Sequence, residues 1–127
     1  MIAVDASALI AVVAEEPEAT ACIAILTDND LIISAATLAE VLIVAKRKGL
    51  EPSLSALLDG LAMEVEEVDA DFAERSASAY GRWGKGFHPA QLNYGDSFSY
   101  ALADMYDCPL LYVGDDFVQT DIRSALA

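Results

Sequence analysis

Short apolar runs alternate along this chain with longer stretches in which apolar residues recur every three or four positions. The short runs are typical of buried strands, and the longer pattern is typical of helices that pack one face on a core. The pattern predicts strands at residues 2–4, 31–34, 63–68 and 110–113. It predicts helices at residues 6–14, 17–26, 37–48, 52–61, 71–83 and 94–106, and a final turn or helix from residue 115. Strands that alternate with helices favour an α/β fold with a mainly parallel sheet.

The length of 127 residues is typical of one domain, so we expect a single domain over residues 1–127. No charge-free apolar run approaches the ~18 residues of a membrane-spanning helix. The N-terminus lacks the basic residues that precede the apolar segment of a signal peptide. We therefore expect a cytoplasmic protein without a membrane association. The hydrophobic content of 55% and the mean hydropathy of +0.37 are high, which favours an apolar surface that binds a partner or a second copy.

The net charge of −14 results from seven basic and 21 acidic residues. This sign opposes attraction to nucleic-acid phosphates. One interpretation is a solvated acidic surface that keeps an apolar protein in solution. Another is a cleft in which some of the acids hold divalent cations that face a substrate phosphate, and the two are compatible. The acidity would also suit a basic protein partner.

Acidic residues occur at four points of the chain where they are not expected to be simple surface charges, and one of these points is a pair of adjacent acids. Asp5 follows the first predicted strand, and Asp115 and Asp116 follow the last one, where parallel sheets bind ligands. Asp96 falls in the first turn of a predicted helix, and each of these acids would equally serve as a helix cap. Glu40 is the only charge in residues 35–45. Either it lies on a narrow solvated stripe, or it is partly buried beside a cation or a donor.

Four carboxylates that converge without a cation would repel one another strongly. Ligation by oxygen alone favours Mg²⁺ or Mn²⁺ over zinc. A small acidic cleft that holds such ions is suited to phosphodiester hydrolysis. The sequence therefore predicts a metal-dependent nuclease.

Two alternatives remain at this point. A phosphatase with Asp5 as its nucleophile would want a second Asp two positions later, where this chain has Ser7, and Lys85 is the only lysine in the later half. A catalytically weak partner-binding module would use a groove on the first two predicted helices, whose apolar content is high.

The segments that contain these acids resemble a known family over essentially the whole length of the chain. They are Asp5-Ala6-Ser7, Glu40, residues 84–96 and residues 110–121. The chain resembles the PIN domain and, more narrowly, the VapC toxins of bacterial type II (VapBC) toxin–antitoxin modules. The resemblance implies an α/β/α sandwich and a Mg²⁺- or Mn²⁺-dependent endoribonuclease that hydrolyses RNA phosphodiester bonds. It also implies a cognate VapB-type antitoxin that neutralises the toxin, and a homodimer.

The resemblance assigns the metal ligands position by position. Asp5 and Asp96 would be the primary ligands. Glu40 and Asp116 would ligate directly or through water, and would orient or deprotonate the nucleophile. Asp115 stays possible as the fourth catalytic acid instead of Asp116.

Three polar residues are candidates for supporting roles. Ser7 and Thr120 would each hydrogen-bond to a site acid or cap local structure. Asn93 would stabilise the loop before the helix that contains Asp96.

A basic and aromatic cluster is a candidate for substrate binding. Arg82, Trp83 and Lys85 would contact the RNA backbone or bases. The alternative is a solvated loop with one packed Trp.

Overall fold

The computed structural model describes residues 1–126. Within this range, four strands are formed: β1 (Ile2–Val4), β2 (Leu31–Ser34), β3 (Met63–Glu66) and β4 (Leu110–Leu111). Six helices are formed in the same range: α1 (Ala6–Val13), α2 (Ala19–Asp28), α3 (Ala35–Lys48), α4 (Glu51–Gly60), α5 (Ala70–Trp83) and α6 (Tyr94–Met105). The predicted order of strands and helices is confirmed through β4.

The four strands form one parallel sheet in the order β3-β2-β1-β4. β1 lies in the interior of the sheet, where Ile2 pairs with Leu31 and Ala3 with Leu110. The chain places β2 and β3 on one side of β1 and β4 on the other. Ligands of parallel α/β sheets bind at the carboxyl ends of the strands where the strand order reverses in this way. The topology thus makes the carboxyl ends of β1 and β4 the expected position of a site.

Side chains alternate between the two faces of the sheet and divide the core into two clusters. Ile2 and Val4 pack with α1, α2, α3 and α4. Ala3 and Ile32 pack with α5 and α6. The sheet therefore lies between two layers of helices, which confirms the α/β/α sandwich. β3 is one of the two edge strands, and each of its residues is partly or fully exposed, as predicted for a strand near the sheet edge.

Two boundaries differ from the predicted ones at places where side chains replace backbone partners. α3 begins two residues before Thr37, because the Ser34 hydroxyl accepts a hydrogen bond from Ala36 N and caps the helix. β4 ends at Leu111, and the backbone N–H of Val113 donates to the hydroxyl of Ser7 (3.0 Å). Residues 115–119 form turns, so the turn and not the helix is the outcome there. No helix within residues 1–126 has the length and apolar character required to cross a membrane.

Candidate active site

A cleft of about 260 Å³ opens at the carboxyl ends of β1 and β4. Its lining residues come from α1, α3, α6 and the connecting loops: Asp5, Ala6, Ser7, Ile10, Glu16, Glu40, Val44, Asn93, Asp96, Val113 and Asp116. Four of the five predicted site acids line it. A fifth carboxylate, that of Glu16, lines the cleft from the connection between α1 and α2. The sequence did not single out Glu16, because an acid in a polar turn has no local signal of a site.

Asp5 lies at the end of β1 and is almost fully buried, with 6% of its surface exposed. Its Oδ2 atom accepts hydrogen bonds from the backbone N–H (3.1 Å) and the hydroxyl (2.6 Å) of Ser7. Its Oδ1 atom accepts a hydrogen bond from the hydroxyl of Ser99 (2.5 Å). Asp5 is also the N-cap of α1. For Asp5, the capping role and a position in the cleft therefore coincide. Of the two predicted roles of Ser7, the hydrogen bond to Asp5 is the one observed, because the N-cap of α1 is Asp5 itself.

Asp96 is the third residue of α6 and is 8% exposed. It forms a capping box with Asn93: Asn93 N donates to Asp96 Oδ2 (3.1 Å), and Asp96 N donates to Asn93 Oδ1 (2.8 Å). Burial raises the pKa of Asp96 to about 7, against the lowering effect of the Asn93 N–H. The negative charges of Asp116, Asp5 and Glu40 contribute to this raised pKa. Near neutral pH, the carboxyl group of Asp96 is therefore divided between its protonated and ionised forms.

Glu40 enters the cleft from α3 and is half-buried. Burial raises the pKa of its carboxyl group, and the charge of Asp5 raises it further. Gly95 lies against this carboxylate: a Cβ atom at position 95 would be 2.7 Å from Glu40 Oε2 and 3.1 Å from Glu40 Cδ. Such distances are below van der Waals contact, so a Cβ atom at position 95 would displace the end of the Glu40 side chain. This contact could not be predicted from the sequence, because 55 positions separate the two residues.

The two acids after β4 are placed differently. Asp116 lines the cleft, whereas Asp115 is not among its lining residues. Both follow Gly114, whose φ of +100° turns the chain away from the strand direction. Both are exposed.

Thr120 does not line the cleft. Its hydroxyl donates to Phe117 O (2.7 Å) and accepts from Ile122 N (3.3 Å), which stabilises the turn after β4. Of its two predicted roles, local capping is therefore the one observed, and Asn93 has the predicted role at the start of α6.

The basic and aromatic cluster also lies outside the lining of the cleft. Arg82 forms an ion pair with Asp121 (3.3 Å) and places its guanidinium 4.7 Å from the centre of the Trp83 ring. Trp83 packs edge-on against His88, with ring centres 4.7 Å apart, and Lys85 is exposed. This arrangement fits a packed Trp with a solvated Arg.

The donor set suits a divalent cation that takes oxygen ligands. Carboxylates from separate elements line one small cleft, and the raised pKa values of Glu40 and Asp96 reflect burial and mutual repulsion. A cation would relieve this repulsion. Among residues 1–126, no three His, Cys, Asp or Glu side chains form a group that could already hold a metal ion. The carboxylates surround the cleft without meeting at one point, so binding would require them to move closer.

Comparison with known proteins identifies the family. Residues 2–123 match the PIN domain. The chain belongs to the PIN-domain family. Ribonuclease VapC42 of Mycobacterium tuberculosis is 42% identical over 128 residues, covering 96% of this chain and 97% of that protein. Ribonuclease VapC of Mycolicibacterium smegmatis is 39% identical over 125 residues, covering 95% and 97% of the two chains. This PIN domain is therefore similar over nearly its full length to VapC ribonucleases.

Solved structures share the fold of this PIN domain at lower sequence identity. The crystal structure of VapC20 of Mycobacterium tuberculosis, a toxin that cleaves the sarcin–ricin loop, superimposes with a TM-score of 0.77 at 18% identity and covers 96% of each chain. A toxin–antitoxin complex from Klebsiella pneumoniae superimposes with a TM-score of 0.76 at 20% identity, covering 100% of this chain and 98% of that one. These two likenesses bear on the fold.

Proposed function

We propose that this protein is a Mg²⁺- or Mn²⁺-dependent endoribonuclease that hydrolyses RNA phosphodiester bonds, and that it is the toxin of a toxin–antitoxin pair. The observation that carries the proposal is the convergence of Asp5, Glu40, Asp96 and Asp116 on one cleft of a PIN domain. The near-full-length relatives that are named VapC ribonucleases support RNA as the substrate.

Each acid has a separate part in the proposed mechanism. A bound divalent ion would lower the pKa of the attacking water and stabilise charge on the phosphate and the leaving oxygen. Asp5, restrained at both oxygens by hydroxyl groups, would be a fixed ligand of the cation. Asp96 would be the second primary ligand in its ionised form, and its raised pKa means that ligation at neutral pH would displace a proton. Glu40 and Asp116 orient the attacking water, and Glu40 accepts a proton from it at its carboxylate.

The substrate meets an acidic protein. Even without the four site acids, the net charge would be −14 + 4 = −10, so the overall field repels RNA. RNA is therefore attracted by bound cations and by local basic residues. Arg82, Trp83 and Lys85 stay a prediction for such contacts.

The central test is cleavage of an end-labelled RNA in excess Mg²⁺, in excess EDTA, and by the variant Asp96→Asn. We expect internal cuts by the wild type in Mg²⁺ and loss of cleavage in EDTA. Asp96→Asn keeps an oxygen acceptor for the helix cap and removes the negative charge, so it should fold and be inactive. Circular dichroism checks the fold.

Three results would contradict the proposal. Undiminished cleavage in EDTA would exclude metal dependence, and full activity of Asp96→Asn would exclude this site. Turnover of a simple phosphomonoester without RNA cleavage would favour the phosphatase.

We also propose that the protein is a homodimer, formed through the surface around Tyr94. The Tyr94 ring is 77% exposed and stands edge-on to Phe98, with ring centres 5.0 Å apart. Mainly apolar grooves of about 490 and 460 Å³ lie on its two sides. A projecting ring beside a groove is self-complementary about a two-fold axis.

Light scattering tests this assembly. The wild type and the control Val118→Glu should be dimers, and Ile43→Glu, whose side chain lines the larger groove, should be a monomer. A monomeric wild type would exclude this assembly.

The third part of the proposal is a cognate VapB-type antitoxin as partner. Solved structures of the same fold include a toxin–antitoxin complex from Klebsiella pneumoniae and VapBC2 of Rickettsia felis. A groove of about 470 Å³ between α3 and α4, lined by Leu42, Leu54 and Leu58, offers an apolar surface for a helix of such a partner. Co-expression of this protein with the product of a short neighbouring gene should yield a complex that does not cleave RNA. Leu42→Arg should weaken that complex, and a neighbouring product that neither binds nor inhibits would contradict this part.

A further inference from the structure

Two buried hydroxyl groups form a hydrogen-bonded chain that ends on the carboxylate of Asp5. Ser99 donates to Asp5 Oδ1 (2.5 Å), and Thr37 Oγ1 lies 3.3 Å from Ser99 Oγ. Ser99 is 0% exposed and Thr37 is 1% exposed. Asp5, Thr37 and Ser99 belong to the end of β1, to α3 and to α6. The hydroxyl groups therefore connect three elements that enclose the cleft.

The direction of these hydrogen bonds follows from the number of available hydrogens. An ionised carboxylate only accepts, so the single hydroxyl hydrogen of Ser99 is used on Asp5. Thr37 must then donate to Ser99. Both hydroxyl dipoles are aligned toward Asp5, and a chain of this kind strengthens its terminal bond.

The orientation of Ser99 is unusual for a serine inside a helix. Serine hydroxyls in helices commonly bond to a carbonyl group of the preceding turn. Ser97, two residues earlier in α6, donates in this way to Tyr94 O (2.6 Å). Ser99 instead donates across to the end of β1. Together with Ser7 on Oδ2, it restrains both oxygens of Asp5.

We propose that Ser99 is a positioning residue for the metal site: its hydroxyl, oriented by Thr37, holds Asp5 in the rotamer that binds the cation. The inference rests on the proposed metal-dependent function and adds two residues to it. Groups that hydrogen-bond to metal ligands fix their orientation, and their loss commonly weakens metal binding by about 10- to 100-fold. Neither Ser99 nor Thr37 lines the cleft, so both act through Asp5.

The test is calorimetric titration of the full chain with Mn²⁺ and with Mg²⁺. Ser99→Ala should bind both ions about tenfold more weakly than the wild type. Ser76→Ala is the matched control, since Ser76 is also a buried helical serine but its hydroxyl has no hydrogen-bond partner within residues 1–126. It should bind metal as the wild type does. Thermal unfolding of each metal-free variant checks the fold.

A second variant separates positioning from simple packing. Thr37→Val keeps the shape of the side chain and removes the donor to Ser99. It should weaken metal binding by less than the about tenfold loss expected for Ser99→Ala, because Thr37 contacts Ser99 and not Asp5. In a Ser99→Ala background, Thr37→Val should have no further effect on metal affinity, because Thr37 acts only through Ser99. A purely structural role would lower the melting temperature in both backgrounds and leave the metal affinity unchanged.

The outcomes distinguish this inference from the proposed function. If the wild type binds no divalent cation, both are overturned. If the wild type binds Mn²⁺ and Ser99→Ala binds it equally well, only the positioning role is overturned. An additive effect of Thr37→Val in the Ser99→Ala background would also overturn it.

Discussion

The two walls of the acidic cleft are built differently. The buried wall consists of Asp5 and Asp96, which are 6% and 8% exposed and accept hydrogen bonds from hydroxyl or backbone N–H groups. The open wall consists of Glu40, which is half-buried, and Asp116, which is exposed. A carboxylate held by several donors has one orientation, whereas an exposed one can adapt to what enters the cleft.

This difference in burial predicts different functions for the two walls. Burial of a carboxylate is unfavourable unless donors or a cation offset it. In the buried wall, hydrogen-bond donors to both carboxylates are in place. The open wall has room for water and substrate. We therefore expect the buried wall to determine metal affinity and the open wall to determine how the water and the phosphate are oriented.

The largest expected effect separates Asp5→Ala from Asp116→Ala. Asp5→Ala should lower RNA cleavage on the order of a thousandfold, because metal coordination contributes several kcal/mol to the transition state and each 1.36 kcal/mol is a factor of ten. It should also abolish metal binding in calorimetry. Asp116→Ala should keep measurable metal binding and lose about ten- to a hundredfold in the cleavage rate. If Asp116→Ala instead weakened metal binding as much as Asp5→Ala, the two walls would not differ in function.

The second effect is a pH dependence of stability in the metal-free protein. Burial raises the pKa of Asp96 to about 7, and an unfolded Asp titrates near ~3.9. Between these values the folded state binds more protons than the unfolded state, so stability falls as the pH rises from about 4 to about 7. An Asn side chain does not titrate, so the stability of Asp96→Asn should lack this contribution. In the wild type it is on the order of a few kcal/mol.

Urea unfolding in EDTA at pH 5 and pH 8 measures this contribution. The wild type should lose more stability between the two values than Asp96→Asn does. Titration with Mg²⁺ near pH 6 should release up to about one proton from the wild type, detected in buffers of different ionisation enthalpy. If the free energy of unfolding changed equally with pH in the two proteins, Asp96 would be ionised over the whole range and would hold no proton in the metal-free protein.

The third effect concerns the contact between the two walls. Gly95, which precedes Asp96 of the buried wall, lies against Glu40 of the open wall. Gly95→Ala places a Cβ atom against Glu40 Oε2, so the end of this flexible side chain must move. We expect about a tenfold loss of RNA cleavage, an effect of moderate size for misplacement of a catalytic group. In a Glu40→Gln background the same substitution should cost little more. Gly81→Ala is the matched control, because a Cβ atom at that position in α5 meets nothing within 4 Å.

The sequence predicted the buried wall better than the open one. Asp5 and Asp96 stand at a strand end and a helix start, and such positions follow from local apolar patterns. The succession of strands and helices along the chain also follows from those patterns, and the parallel sheet is confirmed. The donors of the buried wall could not be predicted in the same way. Ser99 is 94 positions from Asp5, and only tertiary packing brings the two together.

Neighbours in sequence were a poorer guide than strand ends. Thr120 lies close to Asp116 along the chain, yet its hydroxyl bonds within the turn. Trp83 packs edge-on against His88, away from the lining of the cleft. Thr120 is in a polar segment without periodicity, and Trp83 is the last residue of α5, where the helical pattern ends.

The smallest expected effect decides between the two acids that the sequence left open. Asp116 lines the cleft and its charge raises the pKa of Asp96, whereas Asp115 is outside the lining. Asp115→Ala should therefore change RNA cleavage and metal affinity by no more than about twofold, as expected of an exposed charge away from the reaction. Parallel assays of Asp115→Ala and Asp116→Ala measure the contrast. A larger loss in Asp115→Ala would mean that the turn after Gly114 rearranges when a cation binds, and that the open wall adapts in its backbone as well as in its side chains.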